Sequence, residues 1–251
     1  MKEFVDLLVD EDPNYEQVDG NAGWHRIYRK KTTAPPVPAA IHPHQMAEHM
    51  QQHKPVHFRD QDYYKALLPK GERVVAAIIG GNSDCADVAQ QLLNPTLSEA
   101  VYILDAECET QAGNRAGCRM EQYKAQANAH VGVRVIAIEH SHKLKDSYTY
   151  SLKKMLRTKP RPQLNYAYID GDLEWHRDGF AFMLVDKMLN VGGVIEFAGA
   201  SVLMGDQEGK QDLFTTDQLN AAQVSEVLDL LVRPSGRYEE VVKDRAFRKL
   251  K

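Results

Sequence analysis

The sequence predicts an α/β fold, built on a mainly parallel sheet with helices on both faces. From residue 73 to residue 197, short runs of β-branched and aromatic residues alternate with longer amphipathic segments. Repeated strands and helices of these lengths favour parallel strands joined by right-handed crossovers. Near the end of the chain, the turn at 234–236 separates two further candidate strands, 227–232 and 238–242, which predict an antiparallel pair.

The first half of this alternation predicts strands that are rich in Val, Ile, Leu and Ala, each followed by a helix. In chain order, we expect a strand at 74–79, a helix to about 93, a strand at 101–104, a helix to about 129, a strand at 133–138 and a helix at 143–156. The carboxyl ends of such strands meet at one edge of the sheet, where open α/β sheets bind their ligands.

The stretch 164–197, LNYAYIDGDLEWHRDGFAFMLVDKMLNVGGVIEF, predicts one complete strand–helix–strand unit. Buried strands are expected at 165–169 and 194–197, and the apolar residues between them recur at helical steps of three and four. The first strand stops at Asp170 and Asp172. Two carboxylates are therefore expected at the ligand-binding edge of the sheet.

Length and composition indicate one main domain of an ordinary globular protein. A chain of 251 residues with 43% hydrophobic residues can bury one sizeable core. We expect a helical extension over 1–70 and the main domain over 71–251. No segment approaches the roughly 18 uninterrupted apolar residues of a membrane span, and the acidic N-terminal segment does not resemble a secretory signal, so we expect a cytoplasmic protein.

The charge of the chain argues against nucleic acid as the partner. A net charge of −4 and a pI near 6.2 do not give the broad positive surface that nucleic-acid binding requires. The basic residues within 153–161 keep RNA binding open as a third interpretation. Cys85, Cys108 and Cys118 lack metal-type spacing and are expected to be reduced thiols.

The histidine-rich segment 42–57 permits two interpretations. His49, His53 and His57 are spaced by four residues, so on a continuous helix they share a face and can hold a transition metal. Pro55 interrupts such a helix, and no carboxylate or cysteine has matching spacing, which favours an ordinary polar surface.

The order of strand, I-D-G-D, amphipathic helix and V-G-G-V-I in 164–197 resembles the second half of class I S-adenosylmethionine-dependent methyltransferases. The likeness is greatest to the small-molecule O-methyltransferase branch, which includes catechol and caffeoyl-CoA enzymes, and it extends over about a third of the chain. It implies a Rossmann-like methyltransferase fold with a C-terminal antiparallel hairpin. It also implies S-adenosylmethionine as the cofactor and a small molecule as the methyl acceptor.

By this resemblance, the turn after the first strand meets the cofactor through Gly80, Gly81 and Asn82. Glycines let the backbone approach a ligand closely, and the following helix offers unpaired amide donors. The family carries an acidic residue before this turn, whereas Ala77 or Ile78 stands in that place here. An ordinary tight turn between a strand and a helix is the alternative.

Three further residues correspond to the family's cofactor site. Asp105 ends the second strand, where the family's acid accepts hydrogen bonds from the ribose hydroxyls, and Glu107 is its neighbouring substitute. His140 and Ser141 follow the third strand, where a side chain lies beside the adenine. The alternative for His140 is an ordinary half-exposed histidine.

The resemblance places the chemistry near Asp170, Asp172 and His176. Asp170 is expected nearest the cofactor's methyl group, and any of the three can act as the base that removes the acceptor proton. The alternative for the aspartates is a turn that merely caps a helix. Tyr63 and Tyr64, on a short helix predicted at 60–68, either face the substrate or pack in the core.

A metal-independent reaction is expected. Relatives that use a divalent cation carry an Asp-Asp or Asp-Asn pair just past the fifth strand, where this chain has Ala198 and Gly199. Leu173 replaces the histidine that often follows the second aspartate, and Glu196 is a ligand only if the strand register differs from this alignment.

Three functions therefore remain, and the first is the leading one. It is a metal-independent methyltransferase acting on an oxygen or nitrogen of a small molecule, as a monomer or a homo-oligomer. The second is a binding or partner subunit with the same fold but no activity, and the third is an RNA methyltransferase. A nicotinamide-dependent dehydrogenase is disfavoured because G-x-G-x-x-G is absent after the first strand.

Overall fold

The computed structural model describes residues 15–19, 27–30, 61–80, 84–106, 125, 132–140, 147–207 and 209–251. In chain order, its elements are β1 Tyr15–Asp19, β2 Ile27–Lys30, α1 Gln61–Leu67, β3 Val74–Ile79, α2 Asp84–Leu92, β4 Ser98–Ala106, β5 Arg134–His140, α3 Tyr148–Arg157, β6 Leu164–Ile169, α4 Trp175–Asp186, β7 Leu189–Phe197, α5 Thr216–Leu219, α6 Gln223–Val227, β8 Tyr238–Val242 and β9 Ala246–Lys249. The helix expected to about residue 129 lies outside the described residues.

The chain divides into two units, Met1–Gln51 and Gln52–Lys251. In the first unit, β1 and β2 form an antiparallel pair. This pair corrects the prediction from the sequence, which was of short helices only in this region. Tyr15–Asp19 and Ile27–Lys30 are short segments with aromatic or β-branched residues, a composition that suits paired strands.

The second unit contains a seven-stranded sheet in the order β5-β4-β3-β6-β7-β9-β8. The five strands from β5 to β7 are parallel, whereas β9 runs antiparallel to both β7 and β8. The predicted fold class is confirmed: a mostly parallel sheet with helices and a C-terminal antiparallel hairpin. The chain leaves β3 towards β4 and β5 and then returns to β6 on the other side of β3, which makes β3 and β6 the switch point of the topology.

Both faces of the sheet are covered. Side chains alternate between faces along β3, and Ala76, Ala77, Ile78 and Ile79 are all fully buried. On one face, residues of α1 and α2 pack against β3, β4 and β6. Tyr64 packs in this core, with its ring centroid 5.8 Å from that of Tyr166.

The C-terminal hairpin consists of different residues from those expected. The segment expected as a strand at 227–232 is helical, because α6 continues into a π-helical turn at Leu228–Val232. Leu228 and Val232 are four residues apart and both are buried, which is a helical period. A short apolar run does not distinguish the two structures by its pattern. The true partner of β8 is β9.

Within the described part of the chain, no helix combines the length and the apolar character that crossing a membrane would require.

Candidate active site

The switch point brings the turns after β3 and β6 into direct contact. The Gly80 amide donates to Leu104 O on one side, and the Asp170 amide donates to Ile79 O on the other, at 2.9 and 2.8 Å. Gly80 has φ +98°, and a Cβ there would lie 2.6 Å from the Asp170 carbonyl carbon and still closer to its oxygen. Gly80 therefore has a reason to be glycine that does not involve a ligand.

The same edge collects polar side chains from β4, β5 and β6, and β3 contributes the glycine turn. Pairing places Leu104 beside Ile79, and Asp105 beside Glu139, so the ends of β3, β4 and β5 are level. Neighbouring strands lie about 4.8 Å apart. Asp105 and His140 are both buried at this edge. The structure therefore brings together Gly80, Asp105, His140 and Asp170, as the sequence predicts.

The Asp170 side chain is also buried, and it faces the start of α2. The Cys85 thiol lies 3.5 Å from Asp170 Oδ2 and 3.4 Å from Gly80 O. Asp170 is 3% exposed, so its carboxylate is surrounded by protein rather than solvent. Such a carboxylate holds the turns after β3 and β6 together and is poorly placed to exchange protons with bulk water.

A buried hydrogen bond lies directly behind the Asp170–Asp172 turn. The Tyr148 hydroxyl donates to Asp178 Oδ1 at 2.6 Å. A Cβ on Gly171 would lie 2.7 Å from Tyr148 Cζ and closer still to the Tyr148 hydroxyl and the Asp178 carboxylate. Only glycine fits between this pair and the turn, so Tyr148 and Asp178 fix the path of the backbone at the site.

The pKa of Asp178, behind this edge, is strongly raised. Burial raises its pKa to about 7, against the Tyr148 hydrogen bond that lowers it, and the carboxylates of Asp172, Asp170 and Glu174 raise it further. Asp178 Oδ2 has no hydrogen-bond partner among the described residues. Asp178 is not among the residues predicted from the sequence. The available signal was a carboxylate one turn before Phe182, on the buried face of α4.

Glu174 joins the remaining candidate residues. Its carboxylate contacts His176 Nε2 at 3.3 Å, Arg177 Nε at 3.2 Å and Lys210 Nζ at 2.6 Å. Arg177 also pairs with Asp172. Asp172 is therefore held by an arginine, whereas the His176 side chain is 64% exposed. Glu174 is not among the residues predicted from the sequence, because its contacts depend on Lys210, which is distant in the chain.

An open cleft adjoins the start of α4. It has a volume of about 400 Å³, and its lining comes from the start of α4, from Phe214, and from α5 and α6. The residues that line it are Trp175, His176, Phe214, Asp217, Gln218, Ala221, Gln223 and Glu226. We call it the α4–α6 cleft. Of the three candidate catalytic residues, His176 lines this cleft.

No family model matches the sequence, and no curated protein matches it. A similar solved structure is a Staphylococcus aureus protein assigned as a caffeoyl-CoA O-methyltransferase, with 13% identity and a TM-score of 0.42 over 83% of this chain and 98% of that chain.

Another similar structure is MycE methyltransferase from the mycinamycin biosynthetic pathway, solved in complex with Mg, SAH and mycinamycin VI. The identity is 8% and the TM-score 0.42, over 93% of this chain and 68% of that chain. At this level of similarity, neither structure assigns a residue or a reaction to this chain.

Ala198 and Gly199, just past β7, provide no side-chain ligand for a metal ion. Gly199 has φ +62°, and a Cβ there would lie 2.6 Å from Leu173 Cδ2, so this side of the turn is filled by a leucine. Glu196 is fully buried and accepts hydrogen bonds from Tyr166 and Arg245, at 2.7 and 2.6 Å. Within the described ranges, no group of three or more His, Cys, Asp and Glu side chains is arranged to hold a metal ion.

Several predicted residues lie outside the described residues. These are Gly81 and Asn82 of the glycine turn, Glu107, Ser141, Cys108, Cys118 and the histidine-rich segment 42–57.

Proposed function

We propose that this chain is a methyltransferase that uses S-adenosylmethionine and methylates an oxygen or nitrogen of a small molecule without a metal ion. The observation that carries the proposal is the sheet order β5-β4-β3-β6-β7-β9-β8, with its switch point at β3 and β6. Ligands of open α/β sheets bind beside such a switch point, at the carboxyl ends of the strands, and here those ends carry Asp105, His140 and Asp170. It also has the terminal hairpin that the sequence resemblance implies.

The described residues fit this cofactor. The Asp105 carboxylate offers two acceptor oxygens, which suits the two hydroxyls of a ribose. The His140 ring packs edge-on against Tyr148, with centroids 6.4 Å apart, and provides a flat wall for the adenine. When bound, the cofactor supplies a methyl group that is activated for transfer. The protein then aligns the acceptor and takes its proton.

His176 is the base that the geometry favours. Asp170 is buried, and Asp172 is paired with Arg177. His176 is exposed, lines the α4–α6 cleft and has Nε2 directed at the Glu174 carboxylate. Glu174 thereby orients the imidazole, as an acid beside a catalytic histidine does. The acceptor proton would pass to His176 and from there to solvent.

The absence of side-chain ligands at Ala198 and Gly199 supports the metal-independent reaction, and Glu196 is engaged by Tyr166 and Arg245. The distinction has a direct test. Activity that survives EDTA unchanged is expected, whereas loss with EDTA and recovery with Mg²⁺ would contradict it.

A second candidate is a binding or partner subunit without activity. Ala77 and Ile78, in the place of the family's acid, are fully buried in the core. No acidic side chain from these positions can reach a cofactor. This observation favours a fold that has lost its cofactor, and cofactor binding separates the two candidates.

The first experiment is calorimetric titration of S-adenosylmethionine and S-adenosylhomocysteine into the wild type and Asp105→Ala. We expect micromolar binding by the wild type and a loss of tenfold or more in Asp105→Ala. Glu99→Ala is the matched control, because Glu99 is an exposed acid on the same strand. No binding by the folded wild type would overturn the methyltransferase proposal.

The second experiment concerns the base. His176→Gln should lower turnover by about 10²-fold, because the proton acceptor is lost, while cofactor affinity stays unchanged. Asp172→Asn should lower turnover far less. If the larger loss follows Asp172, the assignment of His176 is wrong.

A further inference from the structure

The α4–α6 cleft has the dimensions of a small-molecule site. Its volume of about 400 Å³ lies within the range of about 300–1,000 Å³ that is usual for ligand pockets. One side is formed by Trp175 and His176, at the start of α4, and the other by residues of α5 and α6.

The cleft is negatively charged. Asp217 and Glu226 contribute carboxylates to its lining, and no lysine or arginine lines it in the described part of the chain. The two nearby cations that the structure shows are engaged elsewhere: Arg177 pairs with Asp172 and Glu174, and Lys210 pairs with Glu174. An anionic ligand would meet two uncompensated carboxylates, whereas a cation would neutralise them.

The cleft also presents aromatic rings. Trp175 is 37% exposed, and its backbone amide donates to Gln223 Oε1 at 2.9 Å, which fixes the start of α4 against α6. Phe214 forms part of the lining, and Lys210 Nζ lies 5.6 Å from its ring centroid. A cation is therefore already held near this ring. Aromatic faces combined with carboxylates are the surroundings that organic ammonium groups prefer.

We propose that the α4–α6 cleft binds an organic cation, namely a protonated amine carried on an aromatic or apolar body. Asp217 and Glu226 hold the ammonium group, and Trp175 and Phe214 contact the body. His176, the candidate base, also lines this cleft. As a methyl acceptor, the ammonium group would first lose a proton to His176, which frees the nitrogen lone pair. That role rests on the proposed function, but the binding of the cation does not.

The test uses three probes that share a phenyl ring and differ in charge: phenethylamine, phenethyl alcohol and phenylacetate. We expect the amine to bind at least tenfold more tightly than the alcohol by calorimetry, and phenylacetate not to bind. Raising the salt concentration should weaken amine binding, because the cleft is open to solvent. Equal affinity for the amine and the alcohol, or a preference for phenylacetate, would overturn the inference.

Substitutions of the two acidic residues test where the amine binds. Asp217→Asn and Glu226→Gln should each weaken amine binding three- to tenfold and leave alcohol binding unchanged. Asp217 is exposed and Glu226 is half-buried. Each substitution preserves the size of the side chain, so folding should be unaffected. Glu239→Gln is the control, because Glu239 is an exposed acid on β8. If neither Asp217→Asn nor Glu226→Gln changes the affinity for the amine, the cation binds elsewhere and the inference is overturned.

The cofactor titration, run in parallel, separates this inference from the proposed function. Cofactor binding without amine preference would overturn the cation site alone. Amine preference without cofactor binding would support the cation site and overturn the methyltransferase proposal. If both occur, methylation of the amine by the wild type and not by His176→Gln would assign the cleft as the acceptor site.

Discussion

The two buried aspartates of α4, Asp178 in its first turns and Asp186 at its end, have opposite pKa shifts. Burial acts to raise both. At Asp186, the hydrogen bond from Tyr238 and the charges of Arg237 and Lys249 together outweigh burial, and the pKa lies below its ordinary value. At Asp178, burial prevails over the hydrogen bond from Tyr148, and the pKa rises to about 7.

The helix dipole alone would give the reverse order, because it favours a negative charge at the start of a helix and disfavours one at its end. The neighbouring charges and hydrogen bonds therefore determine the direction of each pKa shift. Asp186 has Arg237 Nη1 at 2.5 Å and Lys249 Nζ at 3.2 Å, so it joins α4 to the terminal hairpin. Asp178 has three carboxylates near it instead. The hairpin end of α4 therefore has a carboxylate compensated by two cations, whereas Asp178 at the other end has no ion pair among the described residues.

The largest expected effect concerns Asp178 and pH. Its pKa is higher in the folded state than the ordinary value of 3.8, so the folded protein binds the extra proton and loses stability as the pH rises from about 4 to 7. A shift of about three units corresponds to at most about 4 kcal/mol. Asp178→Asn should abolish this slope and be more stable than the wild type at pH 8.

Urea unfolding at pH 5, 6, 7 and 8 measures the slope. Asp186→Asn is the control at the other end of the helix. Its pKa is lowered, so its stabilisation is complete above the ordinary value and is lost only as the pH falls below about 4. A wild-type stability that does not fall between pH 5 and 8 would contradict the contrast between the two ends.

The second prediction concerns Lys249 and is of intermediate size. Its Nζ pairs with Asp186 and also donates to Asp186 O at 2.6 Å and Leu189 O at 3.0 Å. Lys249→Met should cost about 2 kcal/mol of unfolding free energy, because a buried carboxylate loses one of its two cations. Lys251→Met, at an exposed position, should cost less than about 0.5 kcal/mol by the same urea titration. Equal costs would show that Lys249 does not compensate Asp186.

The smallest expected effect is the difference in unfolding free energy between two tyrosine substitutions. Tyr238→Phe leaves Asp186 with Arg237 and Lys249, and should cost about 1 kcal/mol. Tyr148→Phe removes the hydrogen bond that Asp178 Oδ1 accepts, and should cost about 1 kcal/mol more. Burial raises the pKa of both hydroxyls far above 10, so both donate throughout the pH range. Thermal unfolding at pH 7.5 compares them, and a larger cost at Tyr238 would reverse the interpretation.

The sequence predicted the parallel sheet well, because the spacing of apolar residues along each strand and helix follows the positions that are buried. The strand 74–79 was predicted to the residue, and the strand 165–169 begins one residue earlier than expected. The strand expected from 194 begins instead at Leu189, since a register shift against β6 allows the glycine pair to remain in the strand. Pattern alone could not separate the π-helical turn at Leu228–Val232 from a strand.

The site was predicted in part. The carboxyl-edge residues Asp105, His140 and Asp170 follow directly from strand order, and the structure brings them to one edge. The contacts that hold the turns at this edge in place could not be predicted from the sequence. Tyr148 and Asp178 are 30 residues apart, and Glu174 meets Lys210 across 36 residues. Such contacts depend on how helices pack, and no local pattern encodes them.

The terminal hairpin has a consequence for the order of folding. β8 precedes β9 in the chain, yet it reaches the sheet only through β9, which pairs with β7. β8 therefore cannot join the sheet until β9 has docked, and until then β7 presents an open edge at which another strand can pair. The final contacts with Asp186 are made in that same step. The closing of the sheet and the burial of this charge are thus coupled, and we expect the amides of β8 and β9 to be protected from hydrogen exchange together.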